Sequence, residues 1–324
     1  MLRILTFSAC LLLVAGLNDF FSISSWADLS QDKPDNKDTT SVTEPPLDKA
    51  AQEPEKSDAV KSQNEPQRNL KKNPAQATSL LKKSREKLLS YSSIRAQITE
   101  TVQIGPKPFV ISGSYLQGNN LKLRLEFQVQ SHKKNGKPVG TLVEICDGQV
   151  LWTEHTIKGT SRVTRRDVQA ILKHAELNPN SRPNMLVAEL GLGGLPGLLA
   201  AIQKNMTFQS VAEKTVNGKT LTVLNGSWSD QFLAQWNGGN ANAAVQLPPY
   251  VPDAIRIYLD PQTLFPRRIV YLKKNNNTLE SIVTLNFSKV TLNAPINKAE
   301  FAYEPPDGVF PVDITNQYLK QITQ

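Results

Sequence analysis

Few residues in this 324-residue chain have the types and spacing that chemistry requires. Gly191-Leu192-Gly193-Gly194-Leu195-Pro196-Gly197 is rich enough in glycine to suggest a phosphate loop opening a helix. The third glycine of a dinucleotide fingerprint falls on Pro196, and no strand-helix-strand alternation surrounds the stretch, so a hinge carrying the apolar segment 198–202 is expected instead. His132, His155 and His174 fall in a loop, at a strand end and on a helix, and none has a partner at metal-ligand spacing, so no metal is expected. There is no Gly-x-Ser-x-Gly elbow, and Asp253 and Asp260 flank a strand where carboxylates start turns. Cys146 sits in the strand-like run Leu142-Val143-Glu144-Ile145-Cys146, the setting of a buried inert thiol. No catalytic residue, no enzyme activity and no cofactor is therefore expected.

With catalysis unsupported, the elements carry the information. Ile94, Ala96, Ile98, Val102 and Ile104 alternate with Arg95, Gln97, Thr99, Thr101 and Gln103; Leu121, Leu123, Leu125, Phe127 and Val129 alternate with Lys122, Arg124, Glu126, Gln128 and Gln130. A period of two over so many residues describes long antiparallel strands with one wet face and one covered face. Further strands are expected at 109–117, at 141–146 and 149–155 joined by the hairpin pair Asp147-Gly148, and at 207–212, 220–228, 255–259, 268–272, 279–287 and 301–303. Helical spacing of apolar residues predicts helices over 76–90, 162–176 and 196–204 and a last turn over 318–322, with polar loops over 132–140 and 238–252. Many strands in succession, a helix before them and helices inserted midway make a mainly antiparallel α+β fold, one curved sheet with helices on one face.

The first 27 residues read as a secretory signal: Arg3, the apolar run 4–17 and a small-x-small site at Ser25-Trp26-Ala27. The run, about 14 residues, is shorter than the roughly 20 that cross a bilayer as a helix. Cys10 lies inside it, where a lipoprotein cysteine would close it. Cleavage places the protein in the periplasm; an uncleaved signal would anchor it. Residues 28–75, rich in Asp, Glu, Lys, Pro, Gln and Ser, cannot bury enough apolar surface to offset their ordering entropy and are expected to be a disordered linker. They hold ten acidic and eight basic residues, leaving 28 basic and 18 acidic in the domain at 76–324. That excess favours anionic head groups or acidic polymers. Nucleic acid is not expected as a partner, because the basic residues are scattered and not interleaved with aromatics.

Four local matches, in order, resemble the LolA-type periplasmic lipoprotein carriers and their wider superfamily, which includes LolB- and RseB-type proteins. They are the opening helix running into Ser92-Ser93-Ile94-Arg95-Ala96, the strand 121–127, Cys146-Asp147-Gly148-Gln149-Val150-Leu151-Trp152, and Ala299-Glu300-Phe301-Ala302-Tyr303-Glu304-Pro305-Pro306-Asp307-Gly308-Val309. The resemblance covers about residues 76–314. It implies an unclosed half β-barrel whose concave apolar face is covered by helices that move aside for acyl chains of a lipid or lipoprotein. It further implies that Leu123, Leu125 and Phe127 point into the cavity, that Trp152 matches the tryptophan after the hairpin, and that the helix holding Leu198 and Leu199, with the segment 185–190 before it, stands in the lid region. The chain departs from the carriers at Asn119-Asn120, where they have a basic residue and a proline, and at Leu125, where they have a tryptophan. Those departures narrow the expectation to lipid binding, possible in envelope transport, by a monomer. The alternative on the same fold is an envelope sensor that binds a partner protein.

Overall fold

A computed structural model describes residues 71–103, 109–129, 138, 140–157, 159–177, 187, 190–237, 247–276 and 278–323. The expected signal at 1–27, the expected linker up to residue 70, His132 and most of the loops expected around residues 132–140 and 238–252 lie outside the described residues.

The first elements begin within the expected linker. Strand β1 is Lys71–Lys72, and helix α1 spans Pro74–Ser90. Asn73 supplies the reason for the early start: its side chain accepts from the Gln76 N–H at 3.0 Å, and Pro74 stands at the first helical position, where its missing donor costs nothing. Ala77, Leu81, Ser84 and Leu88 recur at steps of four, three and four and form the buried stripe.

Strands β2 (Ser93–Val102), β3 (Phe109–Gly118), β4 (Lys122–Val129), β5 (Gly140–Asp147), β6 (Val150–Ile157) and β7 (Thr160–Asp167) follow as an antiparallel meander. Helices α2 (Val168–Leu177) and α3 (Gly194–Asn205) separate them from β8 (Met206–Val216) and β9 (Lys219–Trp228). After the short helix α4 (Asp230–Trp236) come β10 (Ala254–Leu259), β11 (Pro266–Asn275) and β12 (Thr278–Leu292). A 3₁₀ turn at Lys298–Phe301, strand β13 (Val312–Asp313) and helix α5 (Thr315–Thr323) complete the chain.

The thirteen strands among the described residues form one sheet in the order β1-β8-β9-β10-β11-β12-β2-β3-β4-β5-β6-β7-β13. Every pairing is antiparallel except β13 with β7, and β1 and β13 are the two unjoined ends, so the sheet is an unclosed half-barrel of the α+β class. Cross-strand partners share a face, and the register therefore sorts every side chain to one side or the other. One row on the helix-covered inner face runs Ala96, Tyr115, Leu125, Glu144, Thr153, Thr164; the next runs Ile94, Gln117, Leu123, Cys146, Leu151, Arg166. The corresponding outer row is Arg95, Leu116, Arg124, Ile145, Trp152, Arg165.

Two expected elements differ, and one helix was not expected. Residues 162–167 are strand, not helix: they pair along β6, and the helical spacing of Val168, Ile171 and Ala175 starts only where Asp167 accepts from the Ala170 N–H at 2.8 Å and caps α2. Residues 301–303 are not a strand. The Asn297 side chain and Glu300 close a capping box that winds Lys298–Phe301 into a 3₁₀ turn. Helix α4, capped by Ser229 accepting from the Phe232 N–H, was hidden in a stretch too short for a periodic signal.

Each face has its own cover. On the inner side α1 packs against α3, β8 and β9, and α2 packs against α5 and β6. On the outer side the segment after β12 crosses β4 and β5, burying Phe301 against Leu116 and Ile145 with Ile296 and Tyr303 beside them. Arg95 ties this segment down through Glu300 at 2.7 Å, and Arg124 donates to the Glu300 carbonyl at 2.9 Å. Among the described residues no helix is long and apolar enough to cross a membrane.

Candidate functional site

The inner face of β2 to β6 holds three of the residues singled out in the sequence. Leu123, Leu125 and Phe127 stand at alternate positions of β4 and are 2–3 % exposed. Phe127 fits because its cross-strand neighbour is Gly113: a Cβ there would lie 2.6 Å from the Phe127 ring and 2.0 Å from the Glu126 carbonyl oxygen. The phenylalanine thus lies where the neighbouring strand has no side chain, a pairing sheets use to fill the space over a glycine.

Leu198 and Leu199 are buried on α3 together with Leu195 and Ile202. The first turn of α3 is fixed to the sheet by Tyr115, which is fully buried on the inner face. The Leu195 N–H donates to the Tyr115 hydroxyl at 3.0 Å, and that hydroxyl donates in turn to the Gln117 side-chain oxygen two residues along β3. A helix leaves its first N–H groups without intrahelical partners, and Gly193 at the N-cap has no side chain to supply one. Tyr115 does so from another element. Burial raises the Tyr115 pKa above that of an ordinary phenol, so the hydroxyl keeps its proton for Gln117. Gly194, at φ +51°, completes the contact: a Cβ on it would lie 2.5 Å from the Gln117 oxygen and 2.6 Å from the Tyr115 hydroxyl. Helix α1 is tied at the other end of the inner face by two hydroxyls. Ser84 donates to the Leu264 carbonyl at 2.6 Å and Tyr91 to the Thr263 carbonyl at 2.9 Å.

Trp152 is corrected by the register. It pairs with Ile145 on the outer face and lies 5.4 Å, centroid to centroid, from Tyr303, with the Arg165 guanidinium on its ring. It cannot line the same surface as Leu125; its neighbour Leu151, fully buried, takes the inner position. The hairpin motif and the Phe-x-Tyr motif are brought together, as a seam that fastens the C-terminal segment to the outer face. The Tyr303 hydroxyl donates to Glu154 at 2.9 Å across the same seam.

Sequence reasoning missed the polar end of the inner face. Glu144, Thr153 and Arg166 are 2 %, 0 % and 4 % exposed. Arg166 donates to the Thr153 hydroxyl at 2.9 Å, Thr153 donates to Glu144 at 3.4 Å, and the Arg166 guanidinium lies 5.5 Å from the Tyr318 ring of α5. Burial pushes the Glu144 carboxyl up to about 7 against the opposing pull of Arg166 and Thr153. The signal was present as Glu144 inside an otherwise apolar run, a position that favours an uncharged side chain unless a partner faces it. Cys146 on the adjacent row is pushed up to about 12 by burial, which keeps its thiol protonated and unreactive. Among the described residues no group of three or more His, Cys, Asp or Glu is placed to hold a metal ion. Two open cavities, one of about 320 Å³ beside Asn120, Lys122 and Asn293 and one of about 500 Å³ beside Pro248, Lys273 and Ile282, are lined by none of Leu123, Leu125, Phe127, Trp152, Leu198 or Leu199.

The fold and its inner face define an unclosed antiparallel half-barrel with its apolar side under helices. No family model matches the sequence, and no curated protein is similar to it in sequence. Solved structures similar to it include the lipoprotein LppX of Mycobacterium tuberculosis, 10 % identical, with 68 % of this chain and 97 % of that one covered at a TM-score of 0.36. The MucA/MucB complex of Pseudomonas aeruginosa is 11 % identical over 71 % of this chain and 62 % of that chain at a TM-score of 0.35. A LolA superfamily protein of Nitrosomonas europaea is 10 % identical over 70 % of this chain and 97 % of that chain at a TM-score of 0.28. The fold assignment stands on the strand order and register above.

Proposed function

We propose that this is an exported, non-catalytic protein of the bacterial envelope that binds the acyl chains of a lipid or lipoprotein between the inner face of the sheet and the helices α1 and α3. The observation that carries the reading is the attachment of the cover. The inner face, apolar at Leu123, Leu125 and Phe127 with polar Gln117 and Glu144 beside them, is closed by helices whose ties to the rest of the fold include three hydroxyls, those of Tyr115, Ser84 and Tyr91. Magnitudes make the exchange feasible. Withdrawing Leu195, Leu198, Leu199 and Ile202 of α3 gives up about 1.5–3 kcal/mol each, roughly 6–12 in total, while an acyl chain of about 14 methylenes gains about 11 kcal/mol at about 0.8 each. The two occupants are close to balanced, as a protein that both loads and releases requires.

Purification without detergent followed by solvent extraction and mass spectrometry tests this reading. Acyl lipid in near-stoichiometric amount is expected, along with uptake of an added fluorescent fatty acid. Leu125→Glu, checked for an intact fold by circular dichroism, is expected to carry none; a folded wild-type protein that holds no lipid and takes up no probe overturns the reading. A second reading, a module that binds a partner protein, is favoured by the sheet end at β13, where Phe310 is 88 % and Val312 48 % exposed. Crosslinking there would capture a protein, with no lipid in the purified material.

A further inference from the structure

We infer that the outward side of α1 is a docking surface for an anionic lipid bilayer, which brings the helix covering the inner face against the membrane. The buried stripe of α1 is apolar apart from Ser84, and its opposite side is basic. Lys82, Lys83 and Lys87 are exposed there, against the single acid Glu86. Glu86 does little to cancel them: its pair with Lys82 is 3.8 Å long between side chains 66 % and 60 % exposed, a geometry worth little in water. At 100° per residue these positions occupy less than half of the helix circumference, so the three lysines leave the helix on one side, with the Lys87 ammonium 5.7 Å from the Tyr91 ring centre. The whole chain is basic as well, with a formal net charge of +8.

Two features favour a bilayer over an acidic protein. The charges are lysines on flexible stems, with no planar fork held in place, which suits a diffuse layer of head groups better than the fixed carboxylates of a folded partner. Leu89 lies on the same side, seven residues after Lys82, and is 61 % exposed. A large apolar side chain amid lysines is the pattern that inserts at the head-group boundary while the charges stay above it. The chain also enters the fold beside this helix, at Lys71–Lys72. Docking does not depend on whether the inner face takes an acyl chain.

Vesicle co-sedimentation of the purified full chain tests the inference, with phosphatidylcholine vesicles alone and mixed with phosphatidylglycerol. Binding to the anionic vesicles is expected to exceed binding to the neutral ones and to weaken as salt rises from about 0.1 M to about 1 M, where the screening length falls from about 10 to about 3 Å. Removing one lysine costs about fivefold in affinity, so Lys82→Gln/Lys83→Gln/Lys87→Gln is expected to lose on the order of a hundredfold. The control Lys173→Gln/Lys298→Gln/Lys320→Gln changes the net charge equally on elements other than α1 and is expected to lose far less. Equal binding to both vesicle types, or equal losses in the two triple variants, overturns the inference.

Discussion

Replacing Gly194 by alanine probes the contact that holds α3 to the sheet, and its cost can be worked from the coordinates. Two effects add. The backbone at φ +51° lies in the left-handed region, where an alanine costs about 1–2 kcal/mol more than glycine. The new Cβ would also lie 2.5 and 2.6 Å from the Gln117 oxygen and the Tyr115 hydroxyl, so the pair must separate. Losing the bond from the Leu195 N–H to that hydroxyl leaves buried polar groups unpaired at about 1–3 kcal/mol. Gly194→Ala is therefore expected to destabilise by about 2–5 kcal/mol, and Tyr115→Phe by about 1–3. Because both remove the same hydrogen bond, the double variant is expected to cost less than the sum of the two by at least about 1 kcal/mol. Urea unfolding followed by tryptophan fluorescence gives all three values, and hydrogen exchange should show the amides of α3 opening earlier in each variant. A Gly194→Ala cost below about 0.5 kcal/mol, or additivity within about 0.5, would show that Tyr115 does not hold the helix.

Glu144 predicts a pH dependence. Its folded pKa, raised from 4.5 to about 7, means that the folded state holds this proton more tightly. The stability this contributes is fully present below about 4.5 and is lost as pH rises through about 7. Glu144→Gln removes the titration, so the stability of wild type relative to this variant is expected to fall by up to about 3 kcal/mol between pH 4.5 and 8, at about 1.4 per pKa unit; a difference flat across that range in urea melts refutes it. Trp152→Ala separates the two faces: loss of the Tyr303 contact is expected to cost about 1–3 kcal/mol while uptake of a fluorescent fatty acid stays at the wild-type level, and reduced uptake by the folded variant would return Trp152 to the inner site. Asn73→Ala is expected to cost about 1 kcal/mol by removing the cap of α1, read as a lower midpoint in urea; an unchanged midpoint would show that this cap contributes nothing.

Alternation in 94–104 and 121–129 fixes β2 and β4 and the faces on which Ile98, Leu123, Leu125 and Phe127 lie, because a strand has only two sides. The helical stripe of α1, the Asp147-Gly148 hairpin and the α+β class follow from equally local signals. Local pattern failed where a cap or a partner overruled it. Arg162 to Asp167 read as the start of a helix until β6 supplied a strand to pair with, and Phe301 to Tyr303 read as a strand until Asn297 and Glu300 wound the preceding turn. Nothing in the sequence said which face Trp152 takes relative to Leu125, since that depends on the register between strands separated by a loop. Tertiary structure alone set the hydroxyl of Tyr115 against the N–H of Leu195, 80 residues later, and Arg166 beside Thr153 and Glu144. Such contacts answer to no periodicity; they exist because buried polar groups must find partners wherever the fold brings them. The sequence by itself therefore determined that one face of a long sheet avoids water, while the tertiary structure decided what covers that face and which hydroxyls tie the cover down.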